Sequence, residues 1–126
     1  MNSPRGELTI QTLAMPADTN ANGDIFGGWL VSQMDLAAGV LAKKISRGRA
    51  ATVAINSMTF LRPVHVGDVV SCHVEQIKQG KTSMTIAVEV WAMRTESGEQ
   101  YQVTEGTFVF VAIDEDGKPR QISGNL

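Results

Sequence analysis

In the second half of the chain apolar and polar residues alternate, and turn formers interrupt the alternation at intervals, as expected of successive strands. Val70, Cys72 and Val74 share one face of the first, opposite Ser71, His73 and Glu75, while Met84, Ile86, Val88 and Val90 share one face of the second. Gln79-Gly80-Lys81 between them reads as a hairpin turn. A third strand, around Tyr101 to Val111, becomes apolar on both faces at Phe108-Val109-Phe110-Val111, which predicts a central or interface strand. Ala51 to Leu61 is a fourth, and its apolar phase slips between Ile55 and Met58, predicting a bulge near Asn56-Ser57. Glu7 to Met15 supplies a fifth.

From about Gly27 to Ser46 the period changes to that of a helix. Leu30, Met34, Ala37 and Leu41 recur at helical spacing, and Trp29, Leu36 and Val40 fill the other sides. Lys43, Lys44 and Arg47 suit the negative end of a helix dipole, and Gly48 marks the stop. One nearly all-apolar helix among about five antiparallel strands predicts an α+β fold in which a curled sheet wraps one long buried helix. With 126 residues and no internal repeat or linker, the chain reads as a single domain over 1–126.

Composition narrows the function. A net charge of −2 with 19% charged residues leaves no basic field for nucleic acid, and no apolar run is long enough to span a bilayer. The start, Met1-Asn2-Ser3-Pro4-Arg5-Gly6-Glu7, carries no leader pattern, so the expected compartment is the cytoplasm. The one cysteine, Cys72, sits in an alternating strand as a small buried hydrophobe.

Asp35 is the one ionisable residue between Val31 and Ala42. A buried unpaired carboxylate costs several kcal/mol or is forced neutral, so Asp35 either faces a solvent-filled groove or is kept for chemistry. Upstream, Asp18, Asn20, Asn22 and Gly23 match the opening of a calcium loop, but the closing bidentate carboxylate is replaced by Trp29 and no helix precedes Asp18. No metal is expected. Without one, the segment is a loop entering the helix, with Asp24 as the helix-entry residue and Gly27-Gly28 presenting open N–H groups that can hold a developing oxyanion.

Leu13-Ala14-Met15-Pro16, the run from Asp18 to Leu30, Ser32-Gln33-Met34-Asp35 and Thr59-Phe60-Leu61-Arg62-Pro63-Val64 resemble the YciA-type acyl-CoA thioesterases of the hotdog superfamily. The resemblance covers nearly the whole chain. It implies a hotdog fold, hydrolysis of acyl-CoA thioesters, and homo-oligomers of at least dimers, often a trimer of dimers, with the pocket between two subunits. It places the family's catalytic aspartate on Asp35, its loop asparagine on Asn20 and its helix-start glycine on Gly28. The tail after Pro119 is short.

On this reading the Gly28 N–H, with Gly27, polarises the thioester carbonyl, Asp35 acts as general base toward water or as nucleophile, and Asn20 positions water or substrate. Coenzyme A is part of the substrate and no further cofactor is implied. Its phosphates need cations, for which Arg49 and Lys81 rank first and Arg62 is a further candidate, with the Ser83 hydroxyl in the Lys81 turn as an added donor. Arg62 to Asp68 is mainly a strand-ending turn with His65 in a structural role. Two other readings stay open: a hydratase, which would need a histidine near the helix where none occurs before His65, and a non-catalytic acyl-CoA binding module, which would have no need of a lone carboxylate at Asp35.

Overall fold

A computed structural model describes residues 3–122; the parts of the start and tail expectations that rest on Met1, Asn2 and the last four residues lie outside them. The elements run β1 (Glu7–Leu13), α1 (Gly27–Ser46), β2 (Ala50–Phe60), β3 (Val69–Gln79), β4 (Ser83–Met93) and β5 (Gln100–Ala112). The strands form one antiparallel sheet in the order β1-β3-β4-β5-β2, with α1 packed across its concave face. No described helix is long and apolar enough to cross a membrane.

The alternation read from the sequence is the inner face of this sheet. Val70, Cys72, Val74, Met84, Ile86, Val88 and Val90 are all buried, and they meet Leu30, Met34, Ala37, Ala38 and Ala42 of α1. A fully buried aliphatic side chain contributes about 1.5–3 kcal/mol, so this contact is the main stabilising layer. Burial also pushes the Cys72 thiol up to about 12, leaving it protonated and inert at neutral pH.

β5 lies between β4 and β2, which explains why it is apolar on both faces. The phase slip in β2 is a bulge: its pairing with β5 breaks between Asn56 and Thr59, and Ser57 adopts a φ of 55°. β1 ends at Leu13, two residues short of the sequence expectation, because Pro16 begins a 3-10 turn.

The helix buries one face only. Leu36 and Val40 are 59% and 38% exposed, and the inner side of β2 also leaves Ile55 and Phe60 45% and 51% exposed. In the sheet β2 has a neighbour on one side alone. The chain therefore presents an apolar strand edge beside its helix, the arrangement that natural sheets ordinarily cover.

Candidate active site

The segment before α1 is organised by one side chain. Asn20 Oδ1 accepts from the N–H groups of Asn22 (2.8 Å) and Asp24 (3.1 Å), and the Asn20 N–H donates to the Asp24 carbonyl at 2.7 Å. This Asx turn occupies the oxygen that a water-positioning role would otherwise use, and leaves the Nδ2 group as the available donor. Ile25 anchors the loop by burial and by an N–H bond to the Val64 carbonyl at 3.0 Å.

Asp24 does not cap the helix. The residue before α1 is Phe26, which has no side-chain capping bond, and the Asp24 carboxylate instead lies 3.5 Å from His65 Nδ1. The loop's return from Thr19 to Ile25 puts the N-cap at Phe26, two residues beyond Asp24, and the helix starts at Gly27. The Phe26 N–H donates to the Asp18 carbonyl and the Trp29 N–H to the Phe26 carbonyl, whereas among the described residues no acceptor takes the N–H of Gly27 or Gly28. These two orphan donors sit at the positive end of the helix dipole, where an oxyanion is stabilised.

Asp35 lies seven residues beyond Gly28. Seven residues return a helix to nearly the same side, about 10.5 Å further along the axis. Both residues therefore face the β2 flank. Asp35 is half-buried, and its Oδ1 accepts a 2.6 Å hydrogen bond from the Thr52 hydroxyl, so it faces an open groove and is held by a partner on β2. Thr52 is a site residue that the sequence reading missed: its threonine is unremarkable in a strand, and only the crossing of α1 over β2 brings it to Asp35.

Loss of this bond should be visible. A hydrogen bond to a charged group is worth about 1.5–3 kcal/mol. Thr52→Val keeps the shape and removes the hydroxyl, and the expected result is a fall in kcat of roughly ten-fold to 10²-fold, with a melting temperature lowered by several degrees at most and the protein still folded. Unchanged turnover in steady-state assays would mean that Asp35 does not depend on Thr52.

The phosphate-contact candidates separate into two groups. Arg62 follows β2 at the end where Phe60 meets the helix start; a Cβ built on Gly27 would lie 3.5 Å from the Phe60 ring. The Arg62 guanidinium donates to the Gln102 carbonyl at 3.2 Å. Arg49, Lys81 and Ser83 gather at the other end of β2, near the helix C-terminus. Arg49 spends one nitrogen on the carbonyls of Asp114 (3.3 Å) and Glu115 (3.1 Å), while the Gly80 N–H closes the β3–β4 turn onto the Ser83 carbonyl at 2.8 Å. One chain thus does not bring Arg49 and Arg62 together.

Asp68 is a second missed residue. It is 2% exposed and accepts from the Tyr101 hydroxyl at 2.6 Å and from the His65 N–H at 3.0 Å. Burial, and then the bond to Asp68, push the Tyr101 phenol up to about 12, so it stays a donor. The network ties the turn after β2 to β5 and backs the Val64–Ile25 anchor of the active-site loop.

Comparison with known proteins agrees with this architecture. A family model described as the thioesterase superfamily matches residues 22–98. The acyl-CoA thioester hydrolase YciA of Salmonella typhimurium is 57% identical over 124 residues, covering 96% of this chain and 93% of that protein. The crystal structure of a hexameric thioesterase from Yersinia pestis superposes with a TM-score of 0.94 at 55% identity, covering 98% of this chain and 100% of that one. A hexameric hotdog fold thioesterase of Campylobacter jejuni gives 0.89 at 39% identity, covering 94% and 91%.

Proposed function

The chain belongs to the thioesterase superfamily, and from that premise we propose that it hydrolyses acyl-CoA thioesters to a fatty acid and coenzyme A, as one hotdog domain over 1–126 acting in the cytoplasm. The observation that carries the reading is that one flank of α1 presents both kinds of group the reaction needs, orphan N–H groups at the helix start and a Thr52-held carboxylate two turns on, each able to serve one half of a shared site.

The Gly28 N–H, with Gly27, receives the thioester oxygen. Asp35 takes a proton from a water molecule as its oxygen attacks the carbonyl carbon, and the tetrahedral intermediate collapses with cleavage of the C–S bond. The departing thiolate recovers the proton from Asp35. The Asn20 Nδ2 group donates to the water or to the substrate. Every step uses the chain's own residues, with no cofactor beyond the coenzyme A of the substrate.

We place the two halves of this site on different chains. Within one chain Gly28 and Asp35 lie about 10.5 Å apart along the helix, a span that a bound carbonyl and its attacking water would meet only if fully extended. Thr52 marks the place of Asp35 on β2, and Phe60 marks the place of Gly27. A second copy pairing antiparallel through β2, with its axis near Asn56, sets residue 52 of one chain against residue 60 of the other. Asp35 then faces the partner's helix start, and Arg49 of one chain approaches Arg62 of the other, joining the two cation groups. The hexameric relatives fit such dimers assembled in threes, and we extend that assembly to this chain.

The direct test is thiol release from acyl-CoA substrates of graded chain length by the purified protein. Release of coenzyme A with the matching fatty acid is expected. Saturable binding without turnover at any chain length would replace this reading with that of a binding module.

A further inference from the structure

Both ends of the loop that carries Asn20 are seated on one turn. The Ala14 N–H donates to the Asp68 carbonyl at 3.0 Å and the Ala14 carbonyl accepts from the Gly67 N–H at 2.8 Å, while the Ile25 N–H donates to the Val64 carbonyl at 3.0 Å. Ala14, Ile25 and Val64 are all buried. Between these seats a third tie is the 3.5 Å approach of the Asp24 carboxylate to His65 Nδ1. Where Asn20 stands is therefore set by residues 64–68, which touch no substrate in the proposed mechanism.

That turn does not keep its shape by backbone bonding alone. The Asp68 N–H donates to the His65 carbonyl at 3.1 Å, and Asp68 Oδ2 accepts in return from the His65 N–H at 3.0 Å. The same oxygen takes the Tyr101 hydroxyl at 2.6 Å, and that hydroxyl also lies 3.3 Å from the Pro63 carbonyl. Tyr101 is paired with Ala92 in the β4–β5 ladder, so its hydroxyl is a fixed point of the sheet. Arg94 steadies both partners: its Nε lies 3.3 Å from Asp68 Oδ1, and its guanidinium carbon 5.3 Å from the centre of the Tyr101 ring. A path of two side chains thus joins the rigid sheet to both ends of the loop.

We propose that Tyr101 and Asp68 are positioning residues for the hydrolysis, acting through the 64–68 turn on the placement of Asn20. The inference rests on the proposed acyl-CoA activity and adds to it the pair that holds one half of the site. Stability alone gives little reason for this pair. Asp68 is 2% exposed, and well-packed apolar residues in place of a buried charged network are often neutral or stabilising. Directional bonds to a buried carboxylate instead fix one geometry, and a misplacement of about 1 Å in a catalytic group can cost about 10²-fold in rate.

Tyr101→Phe removes the hydroxyl and keeps the ring beside Arg94. The expected result is a fall of about ten-fold in kcat at nearly unchanged KM, in protein that is folded at the assay temperature. In an Asn20→Ala background the same change should cost about two-fold or less, because the group it positions is already gone. A general loosening that reached Asp35 would cost the same factor in both backgrounds. Hydrogen exchange reads the loop without the chemistry. The Asn22 and Asp24 N–H groups, held by Asn20 Oδ1, should exchange about ten-fold faster or more in Tyr101→Phe, while the amides of β3 and β4 keep wild-type protection. Unchanged kcat, an equal loss in both backgrounds, unchanged loop exchange, or exchange that rises in β3 and β4 as well overturns the proposal. Should Tyr101→Phe fail to fold, Gly67→Ala decides by the same measurements: its φ of 93° strains alanine while an added Cβ meets nothing within 4 Å, so the change acts on the seat of Ala14. If wild-type protein hydrolyses no thioester, the activity itself is refuted; in that case, or if Asn20→Ala has no measurable turnover, loop exchange alone judges the positioning, faster exchange confined to the loop supporting it and any other pattern rejecting it.

Discussion

Replacing Asp35 with asparagine is expected to lower kcat for acyl-CoA hydrolysis by about 10² or more while the protein stays folded. A positioned general base contributes about 10² to 10⁴ in rate, and asparagine cannot take the proton from water at neutral pH. Stability should barely change. Asp35 is half-buried, and its one described hydrogen bond is accepted from Thr52, so an asparagine oxygen can accept the same bond. Surface-facing exchanges of this kind usually fall within about 0.5 kcal/mol. Steady-state kinetics with a melting curve on the same preparation checks both halves. Near-normal turnover at an unchanged melting temperature would remove Asp35 from the mechanism.

The second large effect is expected at the β2 edge. Ile55 and Val53 are 45% and 58% exposed on a strand with a neighbour on one side only, next to the proposed two-fold axis at Asn56. Ile55→Asp would set two carboxylates close together in an apolar interface, where each is costly to bury. The assembly should dissociate, and acyl-CoA hydrolysis should fall by more than about 10² in step, because each half-site loses its complement. Sedimentation velocity beside activity reads both. A fully active monomer would show that one chain holds the whole site.

The residues that define the scaffold were legible in the sequence because they answer to local periodicity. Alternation in β3 and β4 and the helical spacing of Leu30, Met34 and Ala37 report directly which side faces the core, and the slip between Ile55 and Met58 reported the bulge that Ser57 realises with its positive φ. Asp35 was legible because a carboxylate among apolar residues demands a reason. Thr52 was not, since its role depends on where α1 crosses β2, a relation between elements that no local pattern encodes. Asp24 misled for a similar cause: acidic residues favour helix starts, but the turn organised by Asn20 carries the chain two residues further before the helix begins. Arg49 and Asp68 depend on long-range partners, the Asp114–Glu115 carbonyls and Tyr101, which lie far away along the chain.

The central claim is that the carboxylate of one chain works with the helix start of another, and subunit complementation tests it most directly. Gly28→Pro removes the oxyanion donor at a position where a first helical turn tolerates proline, and Asp35→Asn removes the base. Each variant alone should be nearly inactive. Co-expressed in equal amounts and purified as mixed oligomers, they should recover about a quarter of wild-type kcat, since each shared site has one chance in four of drawing Asp35 and Gly28 from the chains that keep them. Mixed oligomers no more active than either variant alone would contradict the shared site.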